Sequence, residues 1–464
     1  MDAIFEDFAA AYAVESGYGL AATISPVPPK HDPARFYSLH RSANAFSVQT
    51  ELRSKLQYSP IVQLDKQEAT AWLEVFVAFH KLTGVLLSAE EAENAGRETE
   101  ARWGQVYEVW KEVVNALVKG YQSGAFYAWT IPCLYVAGKY LRIFAIKADD
   151  SAAAQKGNGF AYGGIQEEDA FGTGGKNEKL EDAARQINRI FGLCVSDRAP
   201  LEDSRKWALY YVTNLLFKTY FRLNSISLSK TILRSLAATS SDMPTLELFP
   251  KSHQVTYKYY LGVINFLEED YARAEEELET AYGMCHVGQS KNRQLILTYL
   301  IPTKMITKHQ LPSRGLLQAH PALSALFTPI CTAVRTGNIK ALDDALAIGE
   351  AEFVKRRVYL TLERSRDVTI RNLFRKVFIA GGFMPLKEGE TTPMRRTRIP
   401  ISEFATAMSI AGAEVSDGEG GIDSDEIECA IANMIYKGFM KGYIAREHGM
   451  VVLSKVGAFP NTGV

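Results

Sequence analysis

Few residues in this chain have the types and spacing that catalysis or metal binding would need. The eight histidines (His31, His40, His80, His253, His286, His309, His320 and His448) include no H-x-H or H-x-x-x-H pair, so no zinc hydrolase motif is present. Cys285 and His286 are adjacent, and neighbouring positions on a helix point apart, which reads as core packing rather than a ligand pair. There is no G-x-S-x-G. The run "GTGGKNEK" approaches a phosphate loop, but Ala170 stands where the first glycine belongs and Asn177 where Ser or Thr would meet magnesium. It reads as part of a flexible linker. "DGEGGIDSDE" approaches a calcium loop, yet counting from Asp417 puts Gly421 at the fifth ligand position and Ile422 at the obligatory glycine. No catalytic residue, metal or cofactor is expected.

Positive charge, by contrast, does concentrate. The chain carries 52 Lys and Arg against 53 Asp and Glu, a net charge of −1, so no global field points to a polyanion. Between Lys355 and Arg398, however, twelve basic residues stand with only four acidic ones (Glu363, Asp367, Glu388 and Glu390). Arg364, Arg371 and Arg375 are seven and four apart and are expected on one helix face, opposite Phe374. Arg395, Arg396 and Arg398 fall in a loop, while Lys437, Lys441, Arg446 and Lys455 lie in or beside "MKGYIAREHGMVVLSK". A surplus of this kind in one small segment suits phosphate contact, the alternative being a solvated face that balances acid elsewhere. A sequence reader would offer Arg, Lys, Asn or Gln from one helix to the major groove. The helix "DSDEIECAIANMIYK" instead exposes Asp425, Glu426, Glu428, Ala432 and Asn433, with no Lys or Arg before Lys437. Backbone-directed binding to RNA or DNA is therefore expected, not base readout.

The elements that would position these residues are mostly helical. Periodic apolar stretches run over about 35–57, 66–87, 103–119 and 127–147, and "SAEEAENAGRETEAR" after Leu87 reads as an exposed loop. The uncharged run from Gly120 to Gly138 contains Gln122, Ser123, Gly124, Thr130 and Pro132, so it reads as a loop entering a buried helix rather than a membrane span. The N-terminus lacks the basic start of a signal peptide, and five scattered cysteines without C-x-x-C suit a reducing compartment. From about residue 180 helices come in pairs. In "VTYKYYLGVINFLEEDYARAEEELETAYGMC", Gly262, Tyr271, Ala274, Leu278 and Ala281 follow tetratricopeptide spacing, where small residues let antiparallel helices close up. Gly337-Asn338 reads as a further helix–helix turn. After residue 369 the order changes to helix ("VTIRNLFRKVFIAGG"), strand ("TRIPI"), two helices, strand, turn and strand, which is a winged helix. Asp423 and Glu426 resemble a capping box for the second of those helices. Four regions result: an N-terminal helical region (1–149), a Gly-rich insertion (150–179), a tetratricopeptide-like array (180–368) and a winged helix (369–464).

A helical solenoid ending in a winged helix resembles the PCI-domain family. "VTYKYYLG", "NRQLILTYLIPTKM", "TIRNLFRKVF" and "IECAIANMIYKGFMKGYIA" are similar to the branch of PCI-domain-containing protein 2. "LAATISPVPPKHDPARFYSLHRSANAF" and "AWTIPCLYVAGKYLRIFAIKAD" are similar to the fungal signalosome-subunit-12-like members. The resemblance implies a non-catalytic nuclear scaffold, with the cytoplasm as a second location. It would pair with a second PCI protein of the leukocyte-receptor-cluster-member-8-like or GANP type. It would also hold a small acidic DSS-type protein and help grip nucleic acid in transcription, splicing or mRNA export. The competing implication is a purely structural subunit of a signalosome-like or proteasome-lid-like assembly. Within that frame, the apolar run Met450, Val451, Val452 and Leu453, which on an exposed edge would invite association, is expected to lie partly in the core and partly against the partner's winged helix. Lys258, Lys291 and Arg293, near Tyr257 and Tyr259, are the candidates for the acidic chain.

Overall fold

The computed structural model describes residues 2–44, 46–57, 64–96, 100–158, 177–384, 394–412 and 424–463. The glycines of the insertion after Asn158, the acidic loop and the Asp423 end of the capping box lie outside them. The chain forms two compact units, Met1–Tyr260 and Leu261–Val464. Their boundary falls inside a helix, within the stretch read from sequence as one array.

The first unit holds α1 (Asp2–Ala13), α2 (Gly17–Thr23), α3 (Arg35–Ser42), α4 (Val48–Gln57), α5 (Lys66–Asn94), α6 (Glu100–Gln122), α7 (Pro132–Asn158), α8 (Glu178–Val195), α9 (Leu209–Arg222), α10 (Ser227–Thr239) and most of α11 (Lys251–Leu267). Its core is aromatic. Phe5 and Phe8 of α1 meet Phe76 and Trp72 of α5 at 5.0 and 5.3 Å between ring centroids. Trp110 of α6 is fully buried and donates its indole N–H to the Ala137 carbonyl of α7 at 3.0 Å. Among the described residues α5 is the helix long and apolar enough to cross a membrane, but Trp72, Phe76 and Phe79 are buried inside the unit.

Two boundaries differ from the sequence expectation. The charged run after Leu87 is not a loop, because α5 continues to Asn94 with Ala89 and Ala92 fully buried. Two small residues three apart are enough to keep one side of the helix packed while carboxylates face water. Likewise α7 runs through "DDSAAAQKGN", and its Asp149 accepts from the Lys179 and Leu180 backbone N–H groups at 3.1 and 2.9 Å. One helix thus supplies the N-terminal cap of the next.

The second unit begins in α11 and continues through α12 (Tyr271–Met284), α13 (Ser290–Thr307), α14 (Arg314–Gln318), α15 (Pro321–Thr336), α16 (Ile339–Lys355) and α17 (Tyr359–Glu363). The small-residue reading holds at Gly262, where an added Cβ would stand 2.6 Å from Leu278 Cγ. The turn reading holds at Gly337, whose φ of +70° ends α15 and whose added Cβ would sit 2.8 Å from the Leu373 backbone. Asn338 then caps α16, accepting from Ala341 N–H at 2.9 Å.

The winged helix follows as α18 (Ser365–Ala380), β1 (Arg398–Pro400), α19 (Ile401–Ile410), α20 (Ser424–Tyr436), β2 (Gly442–Ala445) and β3 (Met450–Leu453). The strands form an antiparallel sheet in the order β1-β3-β2. Phe374, Phe404, Ile427, Ile431, Val451 and Leu453 meet in one core that also includes Ile339 of α16. α18 is tied to the array through its side chains. Asn372 and Lys376 donate to the Val334 and Thr336 carbonyls, both at 2.8 Å, satisfying acceptors in the last turn of α15. Helical repeats followed by a winged helix is the observed architecture.

Candidate nucleic-acid interface

The basic residues predicted from sequence separate into three groups according to what their side chains meet. The first is withdrawn from solvent. Arg371 is 7% exposed, its guanidinium turned onto Asn372 Oδ1 at 2.9 Å and lying 6.0 Å from the Phe439 ring. Burial, then the charge of Arg375, lowers its pKa. Arg375 is half-buried, donates to the Thr462 carbonyl at 3.3 Å and leaves a buried Nε without a partner. The expected open face of α18 is thus covered at Arg371, because the C-terminal segment and Phe439 pack over that side. Arg364 instead forms an ion pair with Glu269 at 2.8 Å.

A second group is exposed but paired. Lys437 meets Asp367 at 2.7 Å, and Arg446 reaches Asp425 at 2.9 Å and Glu428 at 3.4 Å. Exposed pairs of this kind contribute about 0–1 kcal/mol and can be exchanged for a phosphate.

The third group lines a groove. Arg395, Arg396, Arg398 and Lys455 come together around a 980 Å³ depression beside β1 and β3. Arg395 lies 4.7 Å from the Phe383 ring, held by the pairing of residues 382–384 with 394–396. Arg396 reaches Glu403 at 3.2 Å, whereas Arg398 and Lys455 are exposed. Sequence reasoning missed the apolar part of this groove: Phe383, Met384, Met394 and Val456 all stand exposed along it. The signal was the pair "GGFMP" and "PMRR", apolar residues flanking a polar loop on both sides. Lys441 is exposed at the start of β2, outside the groove lining. The carboxylates of Asp425 and Glu426 are exposed on α20, as the sequence argument against base readout requires.

Met450–Leu453 lies partly in the core but not on an edge of the sheet. β3 is the central strand, hydrogen-bonded on both sides, with Val451 and Leu453 in the core and Met450 and Val452 half-buried. An unbroken apolar run marks a strand packed on both faces, and central placement supplies that. The edge strands are β1 and β2, and Tyr443 of β2 is 62% exposed.

For the acidic-partner candidates, Lys258 belongs to the first unit and Lys291 and Arg293 to the second. Lys291 is exposed, while Arg293 stacks over Tyr282 at 4.0 Å and donates to the Cys285 carbonyl at 3.1 Å. Tyr257 packs edge-on against Tyr210 at 4.8 Å.

Residues 347–455 match the PCI domain family, covering α18 to β3 and the helices just before them. The chain is 49% identical over 468 residues to the CSN12 homolog of Gibberella zeae, with all of both chains covered. It is 49% identical over 466 residues to the CSN12 homolog of Neurospora crassa, again over both full lengths. With PCI domain-containing protein 2 of Xenopus laevis it shares 32% identity over 77% of this chain and 79% of that protein. Helical repeats, winged helix and full-length similarity agree, and this chain belongs to the PCI-domain family, in the branch of the CSN12 homologs and PCI domain-containing protein 2.

Proposed function

We propose that this PCI scaffold subunit contributes a backbone-directed nucleic-acid grip to a nuclear complex that couples transcription to mRNA processing and export. In that complex it pairs with a second PCI protein and holds a small acidic DSS-type chain. The observation that carries the reading is the groove: four cations from the β1 approach and the wing converge there. Their phosphate-binding geometry carries no base information. The acidic exposed face of α20 speaks against a recognition helix. Pairing with the second PCI protein is assigned to the β2 edge, where exposed Tyr443 and a strand side unpaired among the described residues offer a template for association.

The test is a salt titration of the assembled complex, wild type against Arg395/Arg396/Arg398→Glu, on two unrelated single strands. Loss of three phosphate contacts lowers the logarithmic salt slope by about 2, equally for both sequences. An unchanged slope would leave a purely structural subunit, and a sequence-selective loss would restore the base reader. Tyr443→Asp is expected to abolish recovery of the PCI partner while leaving the circular dichroism spectrum unchanged.

A further inference from the structure

We propose that the first unit carries a second binding site, independent of the winged helix, that takes a short segment of single-stranded nucleic acid. The site is an 820 Å³ groove lined by residues of α1, α2, α3, α7, α9 and α11 and of the loop between α2 and α3, with Asp7 neutralised by Arg35 at 2.7 Å. All lie before Tyr260 and outside the stretch that matches the PCI domain.

Its wall is aromatic and its floor has an unfilled hydrogen-bonding position. Tyr135 and Tyr211 stack at 4.1 Å between centroids, and Tyr18 at the mouth is 67% exposed. His253 lies edge-on to Tyr135 at 5.7 Å and tilted against Tyr211 at 5.1 Å. It is 8% exposed, lines the groove, and has an Nδ1 with no partner. A buried ring nitrogen left unpaired is costly unless a ligand atom fills the position. Burial, then the charge of Lys218, pushes the imidazole pKa down to about 4, so at neutral pH it is uncharged, with one donor and one acceptor nitrogen. That suits the polar edge of a base.

Cations continue from the rim. Lys139 lines the groove, Arg142 follows three residues on along α7, and α9 brings Lys218 and Arg222 opposite. Gly138 sets the approach: an added Cβ would stand 2.9 Å from Leu215 Cδ1, and Arg142 donates to the Lys218 carbonyl at 3.3 Å. Arg142 Nε is buried without a partner, whereas Arg222 is held by Asp150 at 3.1 Å. The Lys218 pKa is lowered by burial, then by Arg142 and Lys139. Like charges gathered against their own repulsion are offset by a polyanion. An acidic peptide would satisfy the cations but leave the tyrosines and His253 unused. Unstacked bases with their phosphates use all three, while a duplex keeps its bases stacked on one another.

The test uses the full chain, a short oligouridine and a polyglutamate peptide, read by fluorescence anisotropy at several salt concentrations. Lys139→Ala/Lys218→Ala is expected to lower the logarithmic salt slope by about 1.4. Tyr18→Ala is expected to weaken oligouridine binding by about tenfold at constant slope. Ultraviolet crosslinking of the unaltered chain should mark peptides containing Tyr18 or Tyr135, and Arg395/Arg396/Arg398→Glu should leave those crosslinks in place. The last arm separates this site from the winged-helix groove, so either can fail alone. Unchanged affinity and slope in both groove variants, with no crosslink to these tyrosines, would overturn the proposal. So would loss of polyglutamate binding alone in the lysine variant, which would assign the groove to an acidic peptide.

Discussion

Both units pair many of their cations with carboxylates, Lys81 with Glu112 and Lys119 with Glu74 in the first, but the basic segment leading to the wing and the α7–α9 cluster differ in how they use theirs. In the winged helix and the helices before it, much of the basic surplus is already engaged: Arg364 with Glu269, Arg366 with Asp343, Lys437 with Asp367, Arg446 with Asp425. Arg371 is buried and Lys376 closes the end of α15. In the first unit, by contrast, Lys139, Arg142 and Lys218 draw no attention in the sequence, yet α7 and α9 press them together. A charge surplus counted along the chain measures how many cations a segment owns. How many remain available depends on which carboxylates and carbonyls the fold has placed beside them.

The largest expected effect tests the aromatic core that holds α7 in place. Trp110→Ala removes a fully buried ring and its bond to the Ala137 carbonyl, and is expected to cost about 3–5 kcal/mol in urea unfolding. A loss below about 1 kcal/mol would mean that α6 does not brace α7, and the cation pairing across α7 and α9 would lose its support. In the second unit, Gly337→Ala forces a side chain into a left-handed position 2.8 Å from the Leu373 backbone. The backbone conformation alone is worth about 1–3 kcal/mol. The variant should unfold at a lower urea midpoint, and a midpoint equal to wild type would remove the close α15–α18 contact.

The next effect is pH-dependent. His253 has a folded pKa of about 4 against 6.5 ordinarily, with Lys218 and the rings of Tyr135 and Tyr211 around it. Between those values the unfolded chain binds more protons than the folded one. Stability therefore falls as pH drops through 6.5 and levels off below about 4. From pH 7 to pH 5 this group contributes a loss of about 2 kcal/mol, which His253→Gln should remove from the pH dependence of the urea midpoint. Parallel curves for the two proteins would show that the ring titrates normally and that the groove is wetter than its geometry implies.

Legibility from sequence followed the same divide. The winged helix was readable because most of its elements announced themselves: the α18 stripe through Phe374, the short strand in "TRIPI", and Gly449 at the turn before β3. The close helix contact at Gly262 and the turn at Gly337 were readable, since a missing side chain signals either close approach or a left-handed backbone. Strand order was not. Nothing local distinguishes a central β3 from an edge, because the decision is made by pairing with Arg398–Pro400, some fifty residues earlier. Nor were the ion pairs, whose partners lie as far apart as Arg364 and Glu269. The Tyr135–Tyr211 groove was illegible for the same reason: its walls come from helices separated by loops, and no periodicity in one helix names its neighbour.

The smallest expected effect probes the engaged cations directly. Asp367 opens α18, where a carboxylate favours the helix N-terminus, and it holds Lys437 at 2.7 Å. Asp367→Asn keeps the shape and removes the charge, so both favourable terms shrink together. An exposed pair and an exposed helix end are each worth under about 1 kcal/mol, and the urea midpoint should fall only slightly. The released Lys437 then becomes available to a phosphate. If the fold's ion pairs restrain nucleic-acid binding by the winged helix, this variant binds more tightly at low salt. Its logarithmic slope on single strands should steepen by about 0.7, the contribution of one added contact. The same substitution should leave the Tyr18-dependent crosslinks unchanged, because that groove lies in the other unit. A steeper slope would establish that availability, set by the pairing, limits the grip. An unchanged slope alongside the small loss of stability would place Lys437 outside the path of the strand and confine the interface to the groove beside β1.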